Sequence, residues 1–275
     1  MPLRPTLNPL LLSAFLSVLL VPAWAWAGVE AIEAASNPEA KGLEIAREIE
    51  RRDTGWGDQT ATLRMILRNR QGQESTREMR SRVLEVQGDG DKSLLIFDAP
   101  GDVRGTAFLS FSHALEPDDQ WLYLPALKRV KRIASRNKSG PFMGSEFAYE
   151  DLSSQEVDKY SYRWLRDDQL EGRAAYVVDR IPRYEHSGYT HLVSYVDKEI
   201  WQPLRIEFHD RKDSLLKTLT FHGYQKYADG YWRADRLEMV NHQTGKSTTL
   251  EWSDYRFGTG LGERDFNKNA LKRVR

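Results

Sequence analysis

The stretch "TATLRMILRNR", Thr60 to Arg70, alternates with a period of two. Ala61, Leu63, Met65 and Leu67 fall on one side, and Thr62, Arg64, Ile66 and Arg68 fall on the other. A strand turns successive side chains to opposite faces, so this segment reads as a β-strand with one covered face. The residues just before it, "SNPEAKGLEIAREIERRDTGWG", have a helical period instead. Ser36 or Asn37 can cap a helix there, and Pro38 suits its first position because that N–H has no partner anyway. Glu39 sits at the positive end of the dipole and Arg51 and Arg52 at the negative end. Ile45, Ala46 and Ile49 form the apolar stripe, and Gly55 is a stop signal.

Downstream of Arg70 the two-residue habit continues. Gln71-Gly72 reads as a turn into a strand from about Glu74 to Val86. Further strands are read in "KSLLIFDAP", "GTAFLSF", "QWLYLP", "KRVKRIA", "YSYRWLR", "RAAYVVDRI", "THLVSYVD", "PLRIEFHD", "LLKTLTFHGY", "YWRADRLEMV" and "STTLEWSDYRF". In "PLRIEFHD", Leu204, Ile206 and Phe208 are expected inside and Arg205, Glu207 and His209 outside. About a dozen strands joined by short Gly- or Asp-containing turns make an antiparallel meander, a mainly β (α+β) chain. A sheet of this size has to curl or close to protect its inner face. The tail "ERDFNKNALKRVR" is read as a short final helix.

The start "MPLRPTLNPLLLSAFLSVLLVPAWAWAG" carries Arg4, then an uncharged apolar run ending in Ala25-Trp26-Ala27. That pattern predicts a signal peptide over residues 1–27, cleaved after Ala27, and therefore export to the periplasm. The run Pro9–Trp26 alone is long and apolar enough to span a bilayer, so the mature chain is expected to be soluble. Losing Arg4 leaves 39 basic against 40 acidic residues, a balance that does not suggest a nucleic-acid partner. There is no Cys, which excludes disulfides, a Cys nucleophile and Cys-ligated metal. No linker or fixed-period repeat divides residues 28–275, which are read as one domain.

One interval, about 134–159, breaks the strand pattern. It contains "GPFMGSEFAYEDLSS", Gly140 to Ser154, with Phe142, Met143, Phe147 and Tyr149 set among Gly140, Pro141 and Gly144. Long insertions without strand pattern are functional or disordered, and the aromatic content argues against disorder. Ser153 and Glu156 have capping-box spacing, which predicts a short helix there. Gly140 and Gly144, with Ser145 beside them, read as hinges. The Phe and Met residues suit either a movable lid or a permanent core plug.

Signals for catalysis are weak. The six histidines form no His-x-x-x-His pair, and His209 and Asp210 are adjacent in a strand. There is no GxSxG elbow, P-loop or GxGxxG opening a helix, and "GTGLG" near Gly258 has no βαβ context. Glu146, Glu150 and Asp151 have the chemistry for acid–base work, but read better as caps or latches. No enzyme activity and no cofactor are expected. The run Lys128, Arg129, Lys131, Arg132, Arg136 and Lys138 contains no acid. It reads as solvated surface or as a docking patch for anionic headgroups or an acidic partner, each cation near a bilayer contributing about 1 kcal/mol.

The segment "DDQWLYLPALKRVKRIASRNKSGPFMGSEFAYEDL" resembles the outer-membrane lipoprotein-sorting proteins of the LolA/LolB-like superfamily, in particular a LolA-like branch associated with RND/MMPL-type exporters. Trp121, Tyr123, Pro125, Leu127, Lys128 and Val130 resemble that family's aromatic-x-Tyr-x-Pro-x-Leu-x-x-Val element. Met143, Gly144, Ser145, Phe147, Tyr149, Glu150, Asp151 and Leu152 resemble the branch's MGS-x-F-x-Tyr-Glu-Asp-Leu signature. The resemblance implies an unclosed antiparallel β-barrel with an N-terminal helix and a lid over an apolar cavity. It implies a monomeric carrier of lipophilic cargo, acyl chains of lipids or lipoproteins, without catalysis. Leu63, Met65, Leu67, Trp121, Tyr123, Phe142, Met143, Phe147 and Tyr149 are the expected cavity or lid residues. Gly140, Gly144, Ser145, Glu150 and Asp151 are the expected hinge and latch. Lys128, Arg129, Lys131 and Arg132 are the expected contact with an exporter or a membrane surface.

Overall fold

The computed structural model describes residues 23–228, 230–269 and 271–273. The expected leader lies outside the described residues as far as position 22. From Ala23 the chain is helical, with α1 at Ala23–Glu33 and α2 at Pro38–Arg52. Asn37 caps α2, its Oδ1 accepting the Ala40 N–H at 2.8 Å, and Pro38 takes the first position. The helix ends at Arg52 with Asp53 as its cap, just before the expected stop at Gly55.

Thirteen strands follow: β1 (Asp58–Arg68), β2 (Glu74–Leu84), β3 (Lys92–Ala99), β4 (Ala107–Phe111), β5 (Asp119–Leu124), β6 (Arg129–Ile133), β7 (Tyr160–Leu170), β8 (Arg173–Pro182), β9 (Tyr189–Asp197), β10 (Pro203–Asp210), β11 (Leu215–Tyr227), β12 (Tyr231–Asn241) and β13 (Ser247–Phe257). They form one antiparallel sheet in the order β6-β5-β4-β3-β2-β1-β13-β12-β11-β10-β9-β8-β7. Every neighbour is a sequence neighbour except β1 and β13, whose ladder joins the two ends of the meander. The sheet is an unclosed barrel whose free edges are β6 and β7. The β6–β7 connection, residues 134–159, therefore has to travel from one edge to the other. It does so through short 3-10 turns at Ser135–Asn137, Phe142–Gly144, Tyr149–Leu152 and Val157–Lys159. Helix α2 lies against edge strand β7, with Lys41 over the Trp164 ring at 4.3 Å and Glu39 paired to Arg163 at 3.6 Å.

The inner face holds the main core. In β1, Leu63 and Met65 are buried there, with Leu67 packed at its margin, as their period predicts. β3 and β4 bury both faces. Leu95, Phe97 and Phe108 face the main core, while Leu94, Ile96, Ala107 and Leu109 form a second cluster on the opposite face. The tail beyond β13 covers that second cluster with Phe266 and Leu271. The Asp58 carboxylate anchors the tail's start by accepting the Thr259 N–H at 2.8 Å and the Gly260 N–H at 3.2 Å. Burial on both faces explains why "LLIF" is a continuous apolar run. The tail is built from 3-10 turns at Glu263–Asp265 and Leu271–Arg273 rather than a final helix.

Two local expectations are corrected. No helix starts at Ser153, whose hydroxyl accepts the Gln120 Nε2–H at 3.1 Å and is not used as a cap. Leu204 is buried, but with Ala175, Val177 and Val193 rather than with Ile206 and Phe208, because the β9–β10 register is irregular between Pro203 and Arg205.

Candidate functional site

The barrel interior is divided in two. Under β1–β5 it is filled by the crossing segment. Phe142 is fully buried, its ring centroid 6.0 Å from Phe97, 5.1 Å from Phe108 and 5.5 Å from Tyr149. Under β7–β13 it is open, a cavity of about 1230 Å³ that is roofed on one side by Ile45, Ile49 and Glu50 of α2 and reaches Gln59, Val83, Asp91 and Ser93 at the ends of β1–β3. Its walls come from alternate residues of successive strands: Tyr160 and Tyr162, Val178 and Arg180, Leu192 and Ser194, Ile206 and Phe208, Leu219 and Phe221, Leu250 and Trp252. This is the inward parity of each strand, which makes the wall predominantly apolar and aromatic.

Most of the nine residues expected in the cavity or its lid do not line this open half. Of the nine, Phe147 borders the cavity among the described residues. Leu63, Met65, Leu67, Phe142, Met143 and Tyr149 belong to the filled half of the core. Trp121 and Tyr123 are on the other side of the sheet, in the cluster with Leu94, Ile96 and Phe266. The reason is parity. In "QWLYL" both alternating sets are apolar, and it is Leu122, not its neighbours, that joins the main core.

The segment's polar residues tie it to both halves of the sheet. Met143 has a left-handed φ of 49° and Gly144 one of 79°, so the chain reverses there in a conformation that favours glycine. Gly140 shows no left-handed φ; a Cβ on it would meet the Asn137 carbonyl at 3.1 Å. The buried Ser145 hydroxyl donates to the Phe142 carbonyl at 2.7 Å and closes this turn. Arg77 of β2 donates to the Met143 carbonyl, and the Glu146 N–H donates to the Thr248 hydroxyl of β13 at 3.0 Å. Glu146 Oε2 accepts the Asn241 Nδ2–H at 2.7 Å.

Glu150 and Asp151 hold the second half. Glu150 accepts the Gly188 N–H at 2.8 Å, the Ser187 hydroxyl at 3.0 Å and the Tyr184 hydroxyl at 3.1 Å. Burial, with the Asp151 charge beside it, pushes its carboxyl above the usual range. Asp151 accepts the Tyr189 hydroxyl at 2.8 Å, its own segment's Ala148 N–H at 2.7 Å and the Lys217 ammonium at 2.6 Å.

Asp118 is a second buried anchor. Lys159 pairs with it at 2.8 Å and Lys138 at 3.4 Å. Burial pushes its carboxyl up, and the two ammonium groups more than reverse this, leaving it below the ordinary range. Lys138 therefore drops out of the basic run. Lys128, Arg129, Lys131, Arg132 and Arg136 stay exposed on and beside β6, with Arg132 paired to Asp119.

Lys217 and Arg180 were missed in the sequence. Both sit at the inward parity of their strands, Lys217 two residues from Leu219 and Arg180 two residues from Val178. A cation in the apolar set of an alternating strand is the signal that marks such residues. His191 and His209 stack across β9 and β10 at 4.1 Å, and His191 Nδ1 meets Asp179 at 2.6 Å. Among the described residues no group of three or more His, Asp or Glu side chains is placed to hold a metal ion.

Residues 89–273 match the model of a family described as an uncharacterized protein. The chain is similar to an outer membrane lipoprotein-sorting protein domain from Vibrio parahaemolyticus. The two are 63% identical, with a TM-score of 0.83 over 85% of this chain and 99% of the other. It is also similar to a DUF1329 family protein from Desulfovibrio piger, at 30% identity and a TM-score of 0.82, covering 86% of this chain and 100% of that one. A LolA superfamily protein from Nitrosomonas europaea shares the fold at 18% identity, with a TM-score of 0.67 over 83% of this chain and 98% of the other. No curated protein matches. The chain belongs to the family of these outer-membrane lipoprotein-sorting domains, on the LolA-like fold.

Proposed function

We propose that the protein is a periplasmic carrier that holds acyl chains of lipids or lipoproteins in the cavity under β7–β13 and moves them between membranes. The observation that carries this reading is the cavity itself. At about 1230 Å³ it exceeds common small-molecule sites of roughly 300–1,000 Å³, and its wall is built from the inward apolar residues of seven strands. Each buried methylene contributes about 0.8 kcal/mol, so ten of them contribute on the order of 8 kcal/mol before ordering costs. The expected working form is a monomer without a cofactor, and the site holds cargo rather than reacting with it. Native mass spectrometry of protein purified from its own periplasm is expected to show a co-purifying lipophile. Protein that carries none, and that fails to take up a fluorescent fatty acyl probe, would defeat the reading.

A second reading is supported by edge strand β6. Lys128, Arg129 and Lys131 project there exposed, next to the free edge of the sheet. This suits docking on an acidic surface of an RND/MMPL-type exporter or on anionic headgroups. Reversing the charge at Lys128, Arg129, Lys131 and Arg132 is expected to abolish partner pull-down while acyl-probe uptake survives. Loss of both together would make the patch structural.

A further inference from the structure

Among the described residues three arginines border the cavity, and they differ in their partners. Arg51 is held by Glu48, and Arg233 by Asp53 at 2.6 Å. Arg180 has no carboxylate within ion-pair distance among the described residues. Its Nη1 donates to Gln155 Oε1 at 3.2 Å and its guanidinium lies 5.3 Å from the Tyr160 ring. Its Nε and Nη2 are shielded from solvent and have no acceptor. On the neighbouring strand, Ser194 faces the same way: it pairs with Val178, two residues from Arg180, and its buried hydroxyl also lacks a partner. Burying polar donors without acceptors is costly, and a guanidinium costs most. Carboxylates such as Glu50, Glu156 and Asp158 also line the cavity, but two unmatched donor groups side by side on neighbouring strands make a receptor for an oxyanion, which a guanidinium fork binds through paired N–H donors.

We infer that the cavity is selective for acyl chains that end in an anionic oxygen group, with Arg180 as the counter-charge and Ser194 as a supporting donor. The inference rests on the carrier reading and narrows its cargo. An anionic head supplies the acceptors that Arg180 lacks, while the chain covers the apolar wall. Uncharged esters and alcohols of the same length fill the wall but leave the guanidinium unmatched. The shared chemistry is a carboxylate, as in a fatty acid, or a phosphate, as in a lysophospholipid.

The test is equilibrium binding of oleate, methyl oleate and 1-oleoyl lysophosphatidate to the full mature chain, with acetate as a chainless control. Wild type is expected to prefer an anionic ligand over methyl oleate by about tenfold or more, the range of a charge-assisted hydrogen-bond pair. Arg180→Gln is expected to weaken the anionic ligands about tenfold more than methyl oleate and so erase that preference, and Arg180→Lys to restore part of it. Ser194→Ala is expected to weaken the anionic ligand by a smaller factor. Comparing oleate with lysophosphatidate tells carboxylate from phosphate. If wild type binds none of the three lipids, the carrier reading itself fails. If wild type binds oleate, lysophosphatidate and methyl oleate equally, or if Arg180→Gln keeps the preference, the carrier reading stands and the headgroup inference is overturned. Competition by acetate at the same concentrations would also overturn it, by making the site one for free anions. A folding defect in Arg180→Gln would lower all three lipids by the same factor and keep the preference, which separates it from loss of the headgroup contact.

Discussion

Asp151, on the segment that crosses the barrel, and Lys217, on β11, form a 2.6 Å ion pair in which their side chains are only 6% and 4% exposed. Lys217 also donates to the Glu146 carbonyl at 2.9 Å, and Asp151 also accepts from Tyr189. A dry pair with its remaining bonds satisfied positions the segment, and removing one partner strands the other charge. Asp151→Asn and Lys217→Met are each expected to lose about 3–5 kcal/mol of stability in urea unfolding. The double variant is expected to lose less than the sum, the sign of direct coupling.

Gly188 is a narrow point beside Glu150. A Cβ there would come 2.8 Å from Glu150 Oε1 and 2.9 Å from the Ser139 Cβ. Gly188→Ala therefore forces the Glu150 carboxylate off its backbone N–H. The expected loss is about 1–3 kcal/mol, read from the shift in denaturation midpoint. Ser187→Ala keeps the space and removes one hydrogen bond, and is expected to cost less, about 1 kcal/mol.

Phe142 distinguishes a packed segment from one that opens freely. It is fully buried against Phe97, Phe108 and Tyr149, so Phe142→Ala is expected to lose about 3–5 kcal/mol. Hydrogen exchange tests the same point in the wild type. If the segment is a plug, the Phe142 and Glu150 amides, bonded to the Phe147 and Lys138 carbonyls at 2.7 and 2.9 Å, exchange as slowly as the core strands. Fast exchange confined to 140–152 would mark it as a lid.

Asp91, on the cavity wall, makes stability depend on pH. Burial, reinforced by Glu156, Glu85 and Asp53, pushes its carboxyl from 3.8 up to about 7. The folded state thus holds a proton that the unfolded chain has released between those values. Stability from this group is greatest near pH 4 and falls as pH rises toward 7, by up to about 1.4 kcal/mol per pH unit. Glu50, Asp53 and Glu150 are raised too, chiefly by burial, and act in the same direction. Urea unfolding between pH 4 and pH 8 is expected to show this slope, and Asp91→Asn to flatten it. A wild-type slope of opposite sign would contradict the assignment.

Much of the fold can be read from short-range periodicity. The alternation in Thr60–Arg70 places Leu63 and Met65 inside, and the Asn37-Pro38 pair starts α2, because both depend on residues a few positions apart. The break at 134–159 is legible for the same reason, whereas its crossing from one edge strand to the other follows from the sheet order. Glu150 and Asp151 are also legible as acids without a catalytic partner, whereas the bonds they make to Gly188 and Lys217 are not. Tertiary structure alone decided which parity of β5 faces inward, that the segment fills one half of the interior, and that the cavity lies in the other half. A period of two separates two faces but does not say which is inside when both are apolar, as with Trp121 and Leu122. That choice depends on what covers each face, and here the covers are a tail and a crossing segment more than a hundred residues apart in the chain.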